Sequence, residues 1–502
     1  MSRSLDIDKA REAKDWKRVA EIISNLTKEE KRDDHVKNSV AMACLDQMKE
    51  SHIDVPSFIS ILQRVSSWQL VSAHLPTSSE TVTALVDYVS TLSSLKLQNP
   101  ILSVLKQIFR ELSQWDYVWD EGEVERLIQE FYLIGKRNPA VFFIDVLDWW
   151  EQQGVSKTSQ EVSLMKGFYI RALYERFYVL CSCAFLQSGQ FNGPKGEQWQ
   201  DRIYQLLLSF PQFKEIGLSL FLLNEKRDEL EYGISLMKEF VHKNIGLYWG
   251  WELMAKYHQQ LDHSETVLAC LCRAYQCNMS PITKYDIGLQ IAYRIAEHSG
   301  DNVASWMAHL LIQNKSREVK CDQGIMLSNL MHKALPCSSK VANEVINQWA
   351  HVAERWLWSD FPSFVGVVSW IDHKAKVVGV VYGVSQKVVI PFSRIEFEVE
   401  VGTWLRVILK EKEDMNPDLL YVELSKTLPS GSIFKTISGR VQQKVGEPFG
   451  FVSDCFIPPF MMTKNSLEQG EWVELSLVYD IDKRLDKMVW KVVTVEKIER
   501  PR

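Results

Sequence analysis

Glu447-Pro448-Phe449-Gly450-Phe451-Val452, followed after Ser453 by Asp454-Cys455-Phe456-Ile457-Pro458, is the stretch on which the reading of this 502-residue chain turns. Strand side chains alternate sides, so a Phe-Gly-Phe run puts Phe449 and Phe451 on one face, where Phe456 of the next strand joins them. Three neighbouring rings are a candidate stacking platform, and Gly450 between them is read as room for a flat base to approach. Such stacking contributes roughly 1 to 3 kcal/mol per base in single-strand binders. The alternative is that the rings pack the inside of a small barrel.

Upstream, the apolar period becomes two near Ser363. Val365-Gly366-Val367-Val368, Val377-Val378-Gly379-Val380-Val381 and Val388-Val389-Ile390 are short β-branched runs bounded by turn residues, as in a small all-β domain. A duplication follows. Ile390-Pro391 precedes Gly402-Thr403-Trp404, and Ile457-Pro458 precedes Gly470-Glu471-Trp472, at nearly equal spacing. Two tandem barrels are predicted, over 359–427 and 433–502, with Leu428-Pro429-Ser430-Gly431-Ser432 as the linker.

The second barrel resembles the cold-shock domain, a small OB-fold barrel. Phe449, Gly450, Phe451 and Val452 fall in that family's first ribonucleoprotein motif, and Asp454, Phe456 and Ile457 in its second. Glu447 and Pro448 stand where the family has a lysine and a glycine, Pro458 replaces a histidine, and Gln443 stands where a surface tryptophan is usual. The first barrel is complementary. Gly366-Val367-Val368-Ser369-Trp370 resembles the first strand with its tryptophan, and Val388-Val389-Ile390-Pro391-Phe392-Ser393 the second motif. Lys376-Val377-Val378-Gly379-Val380-Val381 keeps the lysine and inner glycine but has Val378 and Val380 in place of both phenylalanines. The resemblance implies a nucleic-acid face built from Trp370, Lys376, Lys387, Phe392, Phe449, Phe451 and Phe456. With each barrel incomplete, the expectation is that they bind weakly or together.

From about Asp6 to Trp358 the apolar residues recur three and four apart, as in Ile101, Val104, Leu105, Ile108, Phe109 and Leu112, which is one helix face. Turn signals at Gln98-Asn99-Pro100, Phe191-Asn192-Gly193-Pro194 and Ser280-Pro281 cut this into pieces of helical-hairpin length. The unit from Tyr248 to Pro281 is similar to a tetratricopeptide repeat at Trp251, Met254, Ala255, Leu271 and Ala274, but has Val267 for a small residue and His258 for a tyrosine. A fainter unit begins at Ala10 and continues through Trp16 and Ala20. Helical hairpins bury their faces only against neighbours, so the predicted fold class is an irregular α-solenoid over residues 1–358 followed by two small OB-like barrels.

Composition narrows the function classes. A net charge of -6 offers no general basic field, so any nucleic-acid contact is local. No run of roughly 18 apolar residues marks a membrane span and Met1-Ser2-Arg3-Ser4-Leu5-Asp6 is no signal peptide, so a cytoplasmic protein is expected. Nine cysteines, odd in number and set in helical text such as Leu268-Ala269-Cys270-Leu271-Cys272, suit core thiols better than disulfides, and Cys270, Cys272 and Cys277 lack zinc-ligand pairing. Gly154-Val155-Ser156-Lys157-Thr158 lacks the glycines and strand of a phosphate loop and reads as a plain loop. Asp480, Asp482 and Asp486 lack the glycine of a calcium loop and read as a hairpin tip. Trp149-Trp150 and Phe142-Phe143 are candidates for a binding groove on the solenoid, but bulky rings at helical spacing read better as core.

The resulting expectation is a non-enzymatic adaptor without cofactor or metal. Its solenoid holds a protein partner and its barrels touch single-stranded nucleic acid, RNA more than DNA. The architecture resembles that of bacterial repeat proteins with cold-shock-like tails, some of which serve stress or antiviral systems. The rival is a pure protein-interaction scaffold, favoured by the near-equal acids and bases of the C-terminal part.

Overall fold

Helical periodicity in the N-terminal two-thirds is realised as stacked helices, and the change of period at Ser363 as the first strand of a β-rich region. The computed structural model describes residues 3–50, 54–71, 78–94, 99–115, 117–161, 163–165, 168–170, 172–298, 339–395, 397–410, 417–482 and 487–499. The chain forms an α-solenoid of irregular hairpins followed by two small OB-like barrels. It divides into two units, Met1–Val267 and Leu268–Arg502, so the helices Pro281–His298 and Ser339–Leu357 share a unit with the strands.

In the first unit alternate helices pack side by side. Arg3–Glu12 lies on Asp34–Met48, which lies on Ser78–Ser94, and the row continues through Glu121–Gly135, Leu173–Gln187, Lys214–Arg227 and Tyr248–Gln260. Each helix buries the stripe its spacing supplies. Ile101, Leu105, Ile108 and Leu112 are the buried residues of Asn99–Leu112 that lie on the predicted face. Caps set the ends: Asp120 accepts from the Gly122 amide at 2.9 Å while Glu123 accepts from the Asp120 amide at 3.2 Å, and Gly193 at φ +81° leads into Pro194 at the first helical position. Asn99 and Pro100 likewise open a helix; Gln98 lies outside the described residues. A polar network ties three helices together. Glu151 accepts from the Tyr174 and Tyr178 hydroxyls, each at 2.6 Å, and from Arg202 at 2.8 Å.

Phe143 and Trp150 are fully buried and Phe142 and Trp149 nearly so, as core rings. Trp251, Met254, Ala255, Leu271 and Ala274 are all buried. Ser156 caps the short helix Lys157–Gln160, accepting from the Ser159 amide at 3.0 Å, so the Gly154–Thr158 segment serves a helix start. A two-stranded hairpin, β1 (Ser163–Met165) and β2 (Phe168–Ile170), interrupts the helices where helix was expected. Among the described residues no helix is long and apolar enough to cross a membrane.

In the second unit β3 (Ser363–Asp372), β4 (Val377–Gly383), β5 (Gln386–Pro391), β6 (Trp404–Lys410) and β7 (Asp418–Leu424) form one antiparallel sheet in the order β5-β4-β3-β6-β7. The second barrel repeats that order in parts. β8 (Phe434–Arg440), β11 (Trp472–Asp482) and β12 (Lys487–Lys497) form the sheet β12-β11-β8, while β9 (Gly450–Val452) and β10 (Cys455–Ile457) form a hairpin joined to the end of β8 by a bridge between Gln442 and Phe451. Residues 483–486, the predicted hairpin tip with Asp486, lie outside the described residues.

Shared backbone geometry makes the duplication concrete. Gly402 (φ +95°) donates to the Val368 carbonyl and Gly470 (φ +88°) to the Val441 carbonyl, both at 2.8 Å. Each glycine turns the chain in the left-handed region before a strand that opens on Trp404 or Trp472. The linker is a tight turn in which the Ile433 and Phe434 amides donate to the Ser430 carbonyl at 2.9 and 3.0 Å. Ile433 and Phe434 then pack at once with Val367, Val381, Val478 and Val493, so the two barrels share a buried core.

Candidate nucleic-acid interface

The β9/β10 hairpin holds the three rings by register. Phe451 lies directly opposite Phe456, and Gly450 opposite Ile457, across a turn in which Ser453 adopts φ 53°. Phe449, Phe451 and Phe456 contact one another, with ring centroids 5.4 to 5.8 Å apart. They are not core: Phe451 is 37% and Phe456 46% exposed, while Gly450, Val452 and Ile457 face inward. The Phe451 amide and carbonyl both bond to Gln442, at 2.9 and 2.8 Å, and this pins the platform to the end of the first strand.

Gly450 does not make room for a base. Alternation turns its missing side chain away from the rings, where a Cβ would meet Met462 Sδ at 3.1 Å and Val441 Cγ1 at 3.2 Å. The glycine serves close packing beneath the platform. Gln443, at the position of the family's tryptophan, donates to the Glu447 carbonyl at 2.7 Å and so braces the loop before the rings. Exposed charges beside the hairpin are of both signs: Lys444, Glu447 and Asp454. On β8, Lys435 stands 4.2 Å over the Trp490 ring and Arg440 5.4 Å over Trp472. Sequence reading missed these two cations, and the pattern that marks them is their place on the strand leading into the ring motif.

The same register corrects the first barrel by one residue. Val378 and Val380 are fully buried in its core, whereas Gly379 pairs with Trp370 after a bulge between Val368 and Trp370. Since Val378 pairs with Ile390 as Gly450 does with Ile457, the positions equivalent to Phe449, Phe451 and Phe456 are Val377, Gly379 and Val389. The indole of half-buried Trp370 lies across Gly379, so close that a Cβ there would meet Nε1 at 2.1 Å. Its ring covers the sheet where the second barrel presents phenylalanines.

The remaining candidates separate. Lys376 is exposed on a turn at φ 56°, with no ion pair among the described residues. Lys387 is instead ion-paired with Asp480 of the second barrel, a carboxylate only 3% exposed that Lys491 also approaches at 3.4 Å. Phe392 is half-buried against the first core, its ring 5.9 Å from His373, and lines a cleft between the barrels rather than the sheet face of Trp370. The structure thus unites Phe449, Phe451 and Phe456 and places Lys387 and Phe392 in other settings.

Cys270, Cys272 and Cys277 are buried, and desolvation pushes their thiols up, which disfavours the metal-binding thiolate. Among the described residues no group of three His, Cys, Asp or Glu side chains is placed to hold a metal ion.

The second barrel thus has the strand order of a small OB-like barrel and carries three clustered rings on its outer face. Residues 435–495, which contain the platform, match the model of the S1/CSD-like domain 2 of the TOTE conflict systems. Residues 220–337 match DUF7017, a domain of unknown function, of which 299–337 lie outside the described residues. Neither of these matches is to tetratricopeptide repeats. No curated protein matches the chain. A solved structure entitled "Computational Design of Self-Assembling Cyclic Protein Homooligomers" is similar over 64% of this chain and 96% of its own, at 9% identity and a TM-score of 0.11, too low to bear on the fold.

Proposed function

We propose that this protein is a non-enzymatic adaptor of a conflict system, whose second barrel binds single-stranded nucleic acid, RNA in preference to DNA, and whose solenoid holds a protein partner. The observation that carries this reading is the cluster of Phe449, Phe451 and Phe456, solvent-facing and in mutual contact, inside the stretch similar to the S1/CSD-like domain. Bases stack on such rings with little sequence preference. Lys435, Arg440 and Lys376 are the cations assigned to phosphate. Trp370 supplies a further flat surface in the first barrel. The solenoid's part rests on its architecture, since stacked hairpins present extended surfaces to partners.

The test is fluorescence anisotropy of the full chain with short labelled RNA and DNA at low and physiological salt. Saturable binding that weakens with salt and favours RNA is expected. Absence of binding to either at about 50 µM would turn the reading to the protein scaffold, which the mixed charges Lys444, Glu447 and Asp454 around the rings favour.

A further inference from the structure

A cleft of about 870 Å³ lies between Ile371, Phe392 and Phe397 of the first barrel and Phe460, Lys464 and Glu496 of the second. Its walls are part apolar and part polar. Phe392, Phe397 and Val399 line one side, and Phe460, 63% exposed, stands at the other. Its charge is acidic. Glu398, Glu400 and Glu496 line it against the single ammonium of Lys464, itself 3.7 Å from Glu400. Phosphates would meet repulsion here, so this is no extension of a nucleic-acid path.

The backbone supplies a third feature. Residues 397–400 lie outside the sheet and have no regular structure, with Phe397 and Val399 packed against the first barrel's core and Glu398 and Glu400 exposed. No backbone hydrogen bond joins Phe397, Glu398 or Val399 to another described residue. Unpaired main chain beside a cleft that offers both apolar rings and carboxylates can take main-chain hydrogen bonds from a bound peptide, while the lining selects its side chains.

We propose that the cleft between the barrels is a docking site for an extended cationic segment of a partner protein, in which apolar residues alternate with lysine or arginine. The apolar side chains enter between Phe397 and Phe460, and the basic ones meet Glu398, Glu400 and Glu496. Complementary charge selects this occupant over an acidic one. The site is independent of the ring platform, and each is tested by its own ligand.

The experiment titrates the full chain into a labelled, end-blocked hexapeptide alternating valine and lysine, with the valine–glutamate counterpart as control. The basic peptide is expected to bind and to weaken as salt rises, while the acidic one does not bind. Phe460→Ser, at an exposed position, should weaken binding about tenfold, as loss of an interface anchor does. The double variant Glu398→Lys with Glu496→Lys should weaken it by a similar factor and flatten the salt dependence, while binding of labelled RNA stays unchanged. Circular dichroism checks both folds, and if Phe460→Ser is impaired the charge variant decides. Equal binding of the two peptides, no binding of the basic one at about 1 mM, or an affinity indifferent to the charge variant would overturn the proposal. Concentration-dependent self-association abolished by Phe460→Ser would overturn it too, by assigning the cleft to a second copy of the chain.

Discussion

Lys387 of the first barrel is ion-paired with Asp480 of the second, where the carboxylate is buried and also receives Lys491. Lys387 pairs in register with Val381, and Asp480 lies two residues beyond Val478, so the ion pair joins the barrels beside their shared apolar core. Asp480→Ala leaves the Lys387 ammonium without its carboxylate, while Lys491 keeps its bond to the Ile481 carbonyl. Removing one partner of a fully buried pair costs about 3 to 5 kcal/mol, and since both lysines keep partial contact with water a loss of about 1 to 3 kcal/mol is expected. The midpoint of urea unfolding followed by β-sheet circular dichroism measures it, and an unchanged midpoint would remove the pair from the account of the interface.

The two lysines of the first barrel are expected to behave differently. Lys376→Ala should lower single-strand affinity evenly across sequences and reduce the salt slope by about 0.7, the share of one phosphate contact. Lys387→Ala should leave that slope unchanged and act on stability, because its charge is already neutralised by Asp480. A log-log plot of affinity against salt for both variants separates the cases, and equal slopes would show the assignment to be mistaken.

Phe451→Ala should weaken single-strand binding by about 1 to 3 kcal/mol and leave the barrel folded, because the ring stands on the outer face, more than a third exposed, and contacts the rings of Phe449 and Phe456. Titration with labelled RNA, alongside a thermal melt, checks both halves. Collapse of the melt would make the ring a structural one.

Much of this architecture is visible in the sequence because two periods differ: the helical face of Ile101, Leu105 and Ile108, and the alternation of Phe449-Gly450-Phe451. The β1/β2 hairpin escaped because strands of three residues are too short to show a period. The register of Val377-Val378-Gly379-Val380-Val381 escaped for another reason. One face of that strand packs on its own core and the other, through Val381, on the second barrel, so both faces are apolar and the pattern does not tell inside from outside. Trp370 and Phe392 were read as sharing one face, and their separation rests on the bulge after Val368 and on how the barrels pack. The partner of Lys387 lies far down the chain, where only tertiary structure brings it near.

Stability of the solenoid is expected to fall below neutral pH through His258. Burial lowers its pKa to about 4, and its Nδ1 lies 3.2 Å from that of His263. The unfolded histidine binds its proton near pH 6.5, so between about 6.5 and 4 the unfolded state holds the extra proton and stability drops as pH falls. The loss is on the order of 2 kcal/mol at pH 5. Urea midpoints at pH 7 and pH 5, compared with His258→Gln, measure it: the variant should flatten the dependence over that window, and an identical slope would place the proton uptake elsewhere.

Gly379→Ala tests the corrected register of the first barrel. If Gly379 faces outward beneath Trp370, a methyl group there collides with the indole, which must lift off the sheet, since Nε1 lies only 2.1 Å from the Cβ position. Overpacking of this kind costs typically about 1 to 3 kcal/mol. The neighbouring substitution Val378→Ala should behave differently: it opens a cavity in the core of Val368, Val380 and Ile390 and leaves Trp370 in place. Trp370→Phe supplies the blank for fluorescence. In the difference spectrum Gly379→Ala should red-shift the Trp370 emission toward that of a solvated indole, while Val378→Ala lowers stability without the shift. A shift from Val378→Ala and none from Gly379→Ala would restore the register in which the valines at 378 and 380 occupy the ring positions.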